Sequence, residues 1–313
     1  MKSHLVIFLS FGFLINIEAQ TCCSGGTPLI SNLGIQAPGS KSLGLQLSYD
    51  YNFLNQLYDG SSRLDDDSRE RITQTMFLQL IYGINEKWSI NLLTSYVKQE
   101  RVIISNIGTN KEESNGLGDL ILLAQYTPIK NLKRSLTIAA GPKLPTGKFD
   151  AVDKEFGIVL SPDLQPGSGS LDAIIGLAYT ESHLFKTPGL NYLVNAGFRY
   201  TTPAERFEGD FDYRFGNELL LNNGLSYTKA FSKFSLTPSA FISYRHTRED
   251  KADGDFVAGT GGHWLNLLPG INVEPWAKWS FFISGEIPLY RHLNGTQLTT
   301  TYRLNIGLNF KIL

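Results

Sequence analysis

Residues 298–312 alternate in polarity. Leu298, Thr300, Tyr302, Leu304, Ile306, Leu308, Phe310 and Ile312 share one parity, and Thr299, Thr301, Arg303, Asn305, Gly307, Asn309 and Lys311 take the other. Successive side chains of a strand point to opposite faces, so this segment reads as one strand, greasy on one side and polar on the other. A strand of a globular protein usually runs about 5–6 residues, whereas one that crosses a bilayer needs about 9–11. A strand this long and this two-faced fits a membrane barrel, with its greasy face on lipid and its polar face on the lumen.

The pattern recurs. It starts at Leu43–Phe53 and Met76–Ile84, continues through Trp88–Tyr96, Leu120–Tyr126, Leu136–Leu144, Leu171–Tyr179, Leu190–Tyr200, Phe215–Tyr227, Leu236–Tyr244 and Leu265–Val273, and reaches Trp279–Leu289 and the C-terminal strand. That makes twelve, an even number as bacterial barrels have. Connections alternate in length. Short turns are expected at Asn85–Lys87, Thr127–Lys133, Glu181–Gly189, Lys229–Lys233 and Glu274–Lys278. Long loops are expected at Gln56–Arg69, Ser105–Asn115, Gly147–Gly167, Pro203–Asp212 and His246–Gly262. Short periplasmic turns and long extracellular loops place both termini in the periplasm. Tyr and Trp often fall at strand ends, as an interfacial girdle requires. The expected fold is all-β: a transmembrane antiparallel up-and-down barrel of about 12 strands in the bacterial outer membrane. A soluble β-sandwich would show shorter strands and less sustained alternation.

Ahead of the barrel, Lys2, the apolar run Leu5–Ile17 and Ala19 read as a cleaved signal peptide, residues 1–19. Residues 20–40 then form a periplasmic tail and 41–313 the barrel. Cys22 and Cys23 sit in that tail, as a pair of oxidisable thiols, a vicinal disulfide, a soft-metal contact or a lipidated Cys22. No later apolar run approaches the ~20 residues of a transmembrane helix. Basic and acidic side chains number 28 and 29, so nothing in the charge points to nucleic acid. The expected partners are the bilayer with its lipopolysaccharide, a small organic solute, and the barrel assembly machinery acting on the C-terminal strand.

The polar parity defines the lumen. It carries Asp50, Arg71, Asp119, Lys143, Asp172, Arg199, Glu218, Arg245, Glu286 and Arg303. Strand directions put Asp119 level with Lys143, Asp172 with Arg199, Glu218 with Arg245, and Glu286 with Arg303. These are either ion pairs that stiffen the wall or a constriction that selects solutes, and the two roles are compatible. Phe77, Leu93, Phe241, Trp264 and Phe282 share the inward parity. A lining that mixes charge with rings suits an amphipathic or aromatic solute better than bulk water. Phe241 and Phe282 join Asp119, Lys143, Asp172, Arg199, Glu218, Arg245, Glu286 and Arg303 as the expected solute pathway. The loop before Gly167 holds Phe156, Ile158, Val159 and Leu160, which are costly to leave in water and are expected to cover or enter the outer mouth.

Three motifs carry a family likeness. Gly116-Leu117-Gly118-Asp119 opens a strand ending Gln125-Tyr126; Gly141-Pro142-Lys143-Leu144-Pro145-Thr146-Gly147 follows; then Gln165-Pro166-Gly167-Ser168-Gly169-Ser170-Leu171-Asp172. Together, over roughly Leu43 to Leu313, the chain resembles the MetA-pathway of phenol degradation family of outer-membrane transporters. The resemblance implies a barrel and transport of small organic compounds. The alternatives are a structural or metal-handling barrel and a barrel lipase. Asp65-Asp66-Asp67 reads as a solvated run on the first loop. His183, His246, His263 and His292 do not fall on the lumen parity beside a serine, and no phosphate loop is present. No enzyme, cofactor or metal is therefore expected.

Overall fold

Alternation of this length is resolved in space by closing the sheet on itself, which leaves no edge and gives every inward side chain a neighbour. The computed structural model describes residues 39–106, 108–153, 157–207, 211–276 and 278–312; the signal segment, Cys22 and Cys23 lie outside them. Twelve wall strands follow in order: β1 Leu43–Asp59, β2 Arg69–Gly83, β3 Trp88–Ser105, β4 Leu120–Lys130, β5 Arg134–Leu144, β6 Asp172–Ser182, β7 Leu190–Tyr200, β8 Glu218–Tyr227, β9 Ser235–Thr247, β10 Gly262–Trp276, β11 Trp279–Leu293 and β12 Thr296–Lys311. Each pairs antiparallel with the next, and β12 pairs back onto β1. The result is a closed up-and-down barrel.

Parity holds along most of the wall, but an irregularity in the pairing at Phe53–Gln56 of β1 reverses it at the start of β12: Leu298 and Thr300, expected on the lipid face, are buried, Leu298 with Leu54, Leu57, Trp264 and Leu293. Along β2 the inward Arg71, Thr73, Thr75, Phe77 and Gln79 are buried, while the outward Met76 is 60% exposed. Leu304 and Ile306 on β12 are likewise outward and exposed, and their neighbour Arg303 is nearly buried. Short turns cluster at one end, at residues 84–87, 131–133, 183–189 and 228–234 and between Trp276 and Trp279. The other end carries the long connections and one tight turn, Asn294–Gly295.

Two further expectations need correction. The region expected as a loop at Ser105–Asn115 is wall: Gly108–Leu117 pairs with Tyr96–Ser105 of β3 and raises the barrel as a ribbon beyond β4. Hydropathy alternation missed it because the ribbon is held by charge. Lys111 lies 3.1 Å from Glu100 and 2.8 Å from Glu113, and Arg101 lies 2.5 Å from Glu112. Phe215 is not a lipid-facing residue of β8. The chain turns at Gly216 and Asn217, and Phe215 is buried with Ala204 and Tyr213. Ala204 and Tyr213 belong to a small four-stranded sheet over the long-loop end, formed by Ala204–Phe207, Phe211–Arg214, Lys251–Ala252 and Asp255–Phe256.

Candidate functional site

The described parts of the long connection between β5 and β6, residues 145–153 and 157–171, fold into the lumen. The loop is tied to the inner wall at two places. At the first, Asp119 at the entry to β4 accepts hydrogen bonds from Lys143 Nζ (2.8 Å), Gly147 N (3.1 Å), Ser168 N (3.0 Å) and Ser168 Oγ (2.6 Å). Lys143 is fully buried, and it also contacts Asp172 (3.0 Å), the Ser170 carbonyl (3.0 Å) and Ser168 Oγ. A buried ammonium is tolerated only where carboxylates and hydrogen bonds replace its water. Here two carboxylates, the Ser170 carbonyl and Ser168 Oγ do so.

At the second, Arg71 of β2 grips the loop from both sides of Asp163. Its guanidinium donates to the carboxylate (2.8 Å), to the backbone oxygen (2.5 Å) and to Gln99. Arg101 Nη1 lies 3.6 Å from the same carboxylate. Ser114 Oγ donates to the Leu164 carbonyl (2.5 Å). Gln165 holds the loop in shape, donating to the Ala151 and Leu160 carbonyls and accepting from Ala151 N. Gly147 and Gly167 cross backbone to backbone, where a methyl on either would stand 2.7 Å or less from the other chain.

The loop therefore enters the mouth, with only part of the stretch expected to lead it buried. Leu160 is buried with Ala151 and Leu164, whereas Ile158 is 67% exposed; Phe156 lies outside the described residues. The insertion is driven by polar groups that satisfy buried charges on the wall. Above it, Phe149 packs against Ala204, Tyr213 and Phe215 of the capping sheet. Asp250 lies under that sheet, accepting from Tyr213 Oη (2.6 Å) and Gly216 N (2.7 Å). Burial pushes its carboxyl up to about 6, against the pull of those two donors.

Below the loop, Phe77, Leu93, Ile121, Leu123, Ala139, Ile174 and Leu220 form an apolar cluster on the inner wall. Opposite it, the lumen opens into a cavity of about 370 Å³ lined by Phe241, Phe282, Asn222, Asp50, Glu286 and Arg303 among others.

The charged residues read from the sequence line the interior, in partly different pairs. Lys143 meets Asp119 as expected. Asp172 also turns to Lys143, its register partner, and Arg199 pairs with Glu218 (3.0 Å). Arg245 does not reach Glu218; its guanidinium lies 4.0 Å above the Trp264 ring. The β8–β9 turn is long enough to set Glu218 opposite Thr247 and Arg245 opposite Leu220. Glu286 and Arg303 are register neighbours at 3.8 Å, but Arg303 Nε sits closer to both oxygens of Asp50, at 2.7 and 2.8 Å. Sequence reading missed Asp163, Gln99 and Asn222. Asp163 lies in a Ser-Pro-Asp turn and had no hydropathy signal to mark it as inward. His246 and His263 stack at 4.3 Å on the outward parity of β9 and β10, and His292 of β11 faces outward beside Ser61 (3.0 Å).

A family model described as "Putative MetA-pathway of phenol degradation" matches residues 73–287. The chain belongs to this family. No curated protein matches it. Among solved structures it is similar to an outer membrane channel from Pseudomonas putida F1, at 15% identity and a TM-score of 0.69, over 89% of this chain and 98% of that one. At that identity the likeness speaks for the fold, an outer-membrane β-barrel. It is more weakly similar to the β domain of the Bordetella autotransporter BrkA (11% identity, 87% and 100% covered, TM-score 0.49) and to the CymD monoaromatic hydrocarbon channel (8%, 87% and 89%, TM-score 0.39). These two scores are too low to bear on fold or function. For this member of the phenol-degradation family, the lumen is the candidate site.

Proposed function

We propose that this barrel is an outer-membrane channel for small amphipathic or aromatic organic solutes. The observation that carries the reading is the lumen itself: a cavity walled by Phe241 and Phe282, with Glu286 and Arg303 beside them, beneath a loop docked into the mouth. Rings supply an apolar contact surface, and the few charged groups orient what passes. Family membership and likeness to an outer-membrane channel support the same reading. Of the residues expected along the pathway, Asp119, Lys143, Asp172, Arg199, Glu218 and Arg245 are buried at the long-loop end, the first two sealed by the docked loop, and Phe241, Phe282, Glu286 and Arg303 line the open space below. Both termini are periplasmic in this reading, the long loops face outward, and the chain is exported by a cleaved signal and inserted by the barrel assembly machinery. No catalytic step is assigned to it.

The test is reconstitution. Purified protein in planar bilayers should conduct, and liposomes carrying it should admit small aromatic solutes faster than sugars of equal mass. Conductance no greater than that of protein-free bilayers, with no solute uptake, would leave a structural barrel as the better reading.

A further inference from the structure

We infer that the lumen cavity is a binding site for small aromatic ammonium ions, an inference that rests on the channel reading above. Its floor is made of small residues. Ser239, Gly270 and Ser284 lie opposite one another on β9, β10 and β11. The two rings beside this floor lean away from it. Phe241 is the register partner of Gly224 on β8, and a methyl at Gly224 would stand 2.5 Å from the ring Cδ1. Phe282 is the register partner of Gly307 on β12, and a methyl there would stand 2.6 Å from the ring Cζ. Each ring thus lies down on a backbone that carries no side chain, Phe241 toward β8 and Phe282 toward β12. A trough remains over β10, and its volume of about 370 Å³ is of the size that small-molecule sites have.

The chemistry of the trough is one-sided. Its ionised groups are Asp50, Glu286 and Arg303, two anions to one cation. Asp50 holds Arg303 Nε with both oxygens, while Glu286 stands 3.8 Å from the guanidinium and accepts from Asn266 (2.8 Å). Asn222 lines the same space, is 6% exposed, and has a buried side-chain oxygen without a hydrogen-bond partner among the described residues. An excess of carboxylates over cations in the lining and two aromatic rings call for a ligand that brings a positive charge and an apolar body. An ammonium near a ring face gains further from the ring quadrupole. A carboxylate in the same place would meet two carboxylates.

Calorimetric titration of the full chain in detergent micelles tests this, with benzylammonium, benzyl alcohol and benzoate as probes. Benzylammonium should bind saturably at one site, about tenfold or more tighter than either of the others. Glu286→Gln should weaken benzylammonium about tenfold and leave benzyl alcohol unchanged. Gly270→Leu should abolish saturable binding by filling the trough; should that variant fail to fold, the probe series on the parent and Glu286→Gln decide. Equal or tighter binding of benzoate, or no saturable binding of benzylammonium, overturns the site. Bilayer recordings on the same preparation separate the two readings. Conduction without selective benzylammonium binding overturns the site alone, and selective binding without conduction overturns the channel alone.

Discussion

Replacing Asp163 with alanine should unlatch the loop. In the docked state Asp163 answers Arg71 at 2.8 Å, and both side chains are only 2% exposed. Removing one partner of a buried ion pair costs about 3–5 kcal/mol, because the remaining charge is left without water or counter-ion. Once the loop lifts away, Arg71 regains water, so the loss falls on the docked state alone. With tenfold per 1.4 kcal/mol, the ratio of undocked to docked loop should rise by about two to three and a half orders of magnitude. Single-channel recording reads this as the ratio of high- to low-conductance dwell time. The double variant Arg71→Met, Asp163→Leu should restore the low-conductance state, since an apolar pair of similar volume replaces the ions and Arg101 keeps Glu112 at 2.5 Å. A dwell ratio unchanged within about threefold in Asp163→Ala, with the barrel intact, would refute the latch.

Further outcomes follow from the same geometry. Leu304→Arg or Ile306→Arg, on the lipid face, should each cost about 2–4 kcal/mol near the midplane and reduce folded barrel on heat-modifiability gels, while Asn305→Arg should be tolerated; equal losses in all three would remove the parity assignment. Lys143→Met leaves Asp119 and Asp172 facing each other in a buried site, and thermal unfolding should show a loss of about 3–5 kcal/mol. Asp250 binds its proton more tightly in the folded cap than in the unfolded chain, so the stability it contributes is present below about 4 and is lost as pH rises through about 6. Limited proteolysis of residues 201–217 and 248–261 should therefore quicken between pH 4 and pH 7 in the parent and change less with pH in Asp250→Asn. An identical pH profile in both would show that Asp250 does not control the cap.

The wall was legible because its rule is local. Parity along β12 or β2 needs no knowledge of partners, and it places Leu304 outward and Arg71 inward, failing on β12 only where the irregular pairing with β1 turns Leu298 and Thr300 into buried positions. Pairing is not local. Arg199 finds Glu218 rather than Asp172 because turn length and stagger decide which rows meet, and no strand contains that information by itself. The ribbon Gly108–Leu117 escaped for a related reason: its two faces differ by ion pairing across strands, which a hydropathy alternation does not register. The docked loop was half legible. Its apolar residues signalled an inward turn, yet the contacts that hold it are Asp163 with Arg71, and Ser168 with Asp119 and Lys143. Polar loop residues look solvated in sequence until a buried charge on the wall is known to await them.

Parity leaves one ambiguity that a charge can settle. Sliding β12 along β1 by two residues keeps Tyr302, Leu304 and Ile306 on lipid, so the hydrophobic pattern accepts several values of the barrel's shear, each giving a different strand tilt and bore. In the observed alignment Asn52 lies opposite Arg303, one inward step from Asp50, and Arg303 grips Asp50 with Asn305 assisting at 3.2 Å. A slip of two in one direction would carry Arg303 to the level of Leu54, farther from Asp50, and break the pair. The pair that joins the first strand to the last thus acts as a vernier on the closing seam, and through it one arginine helps to set the diameter of the whole pore.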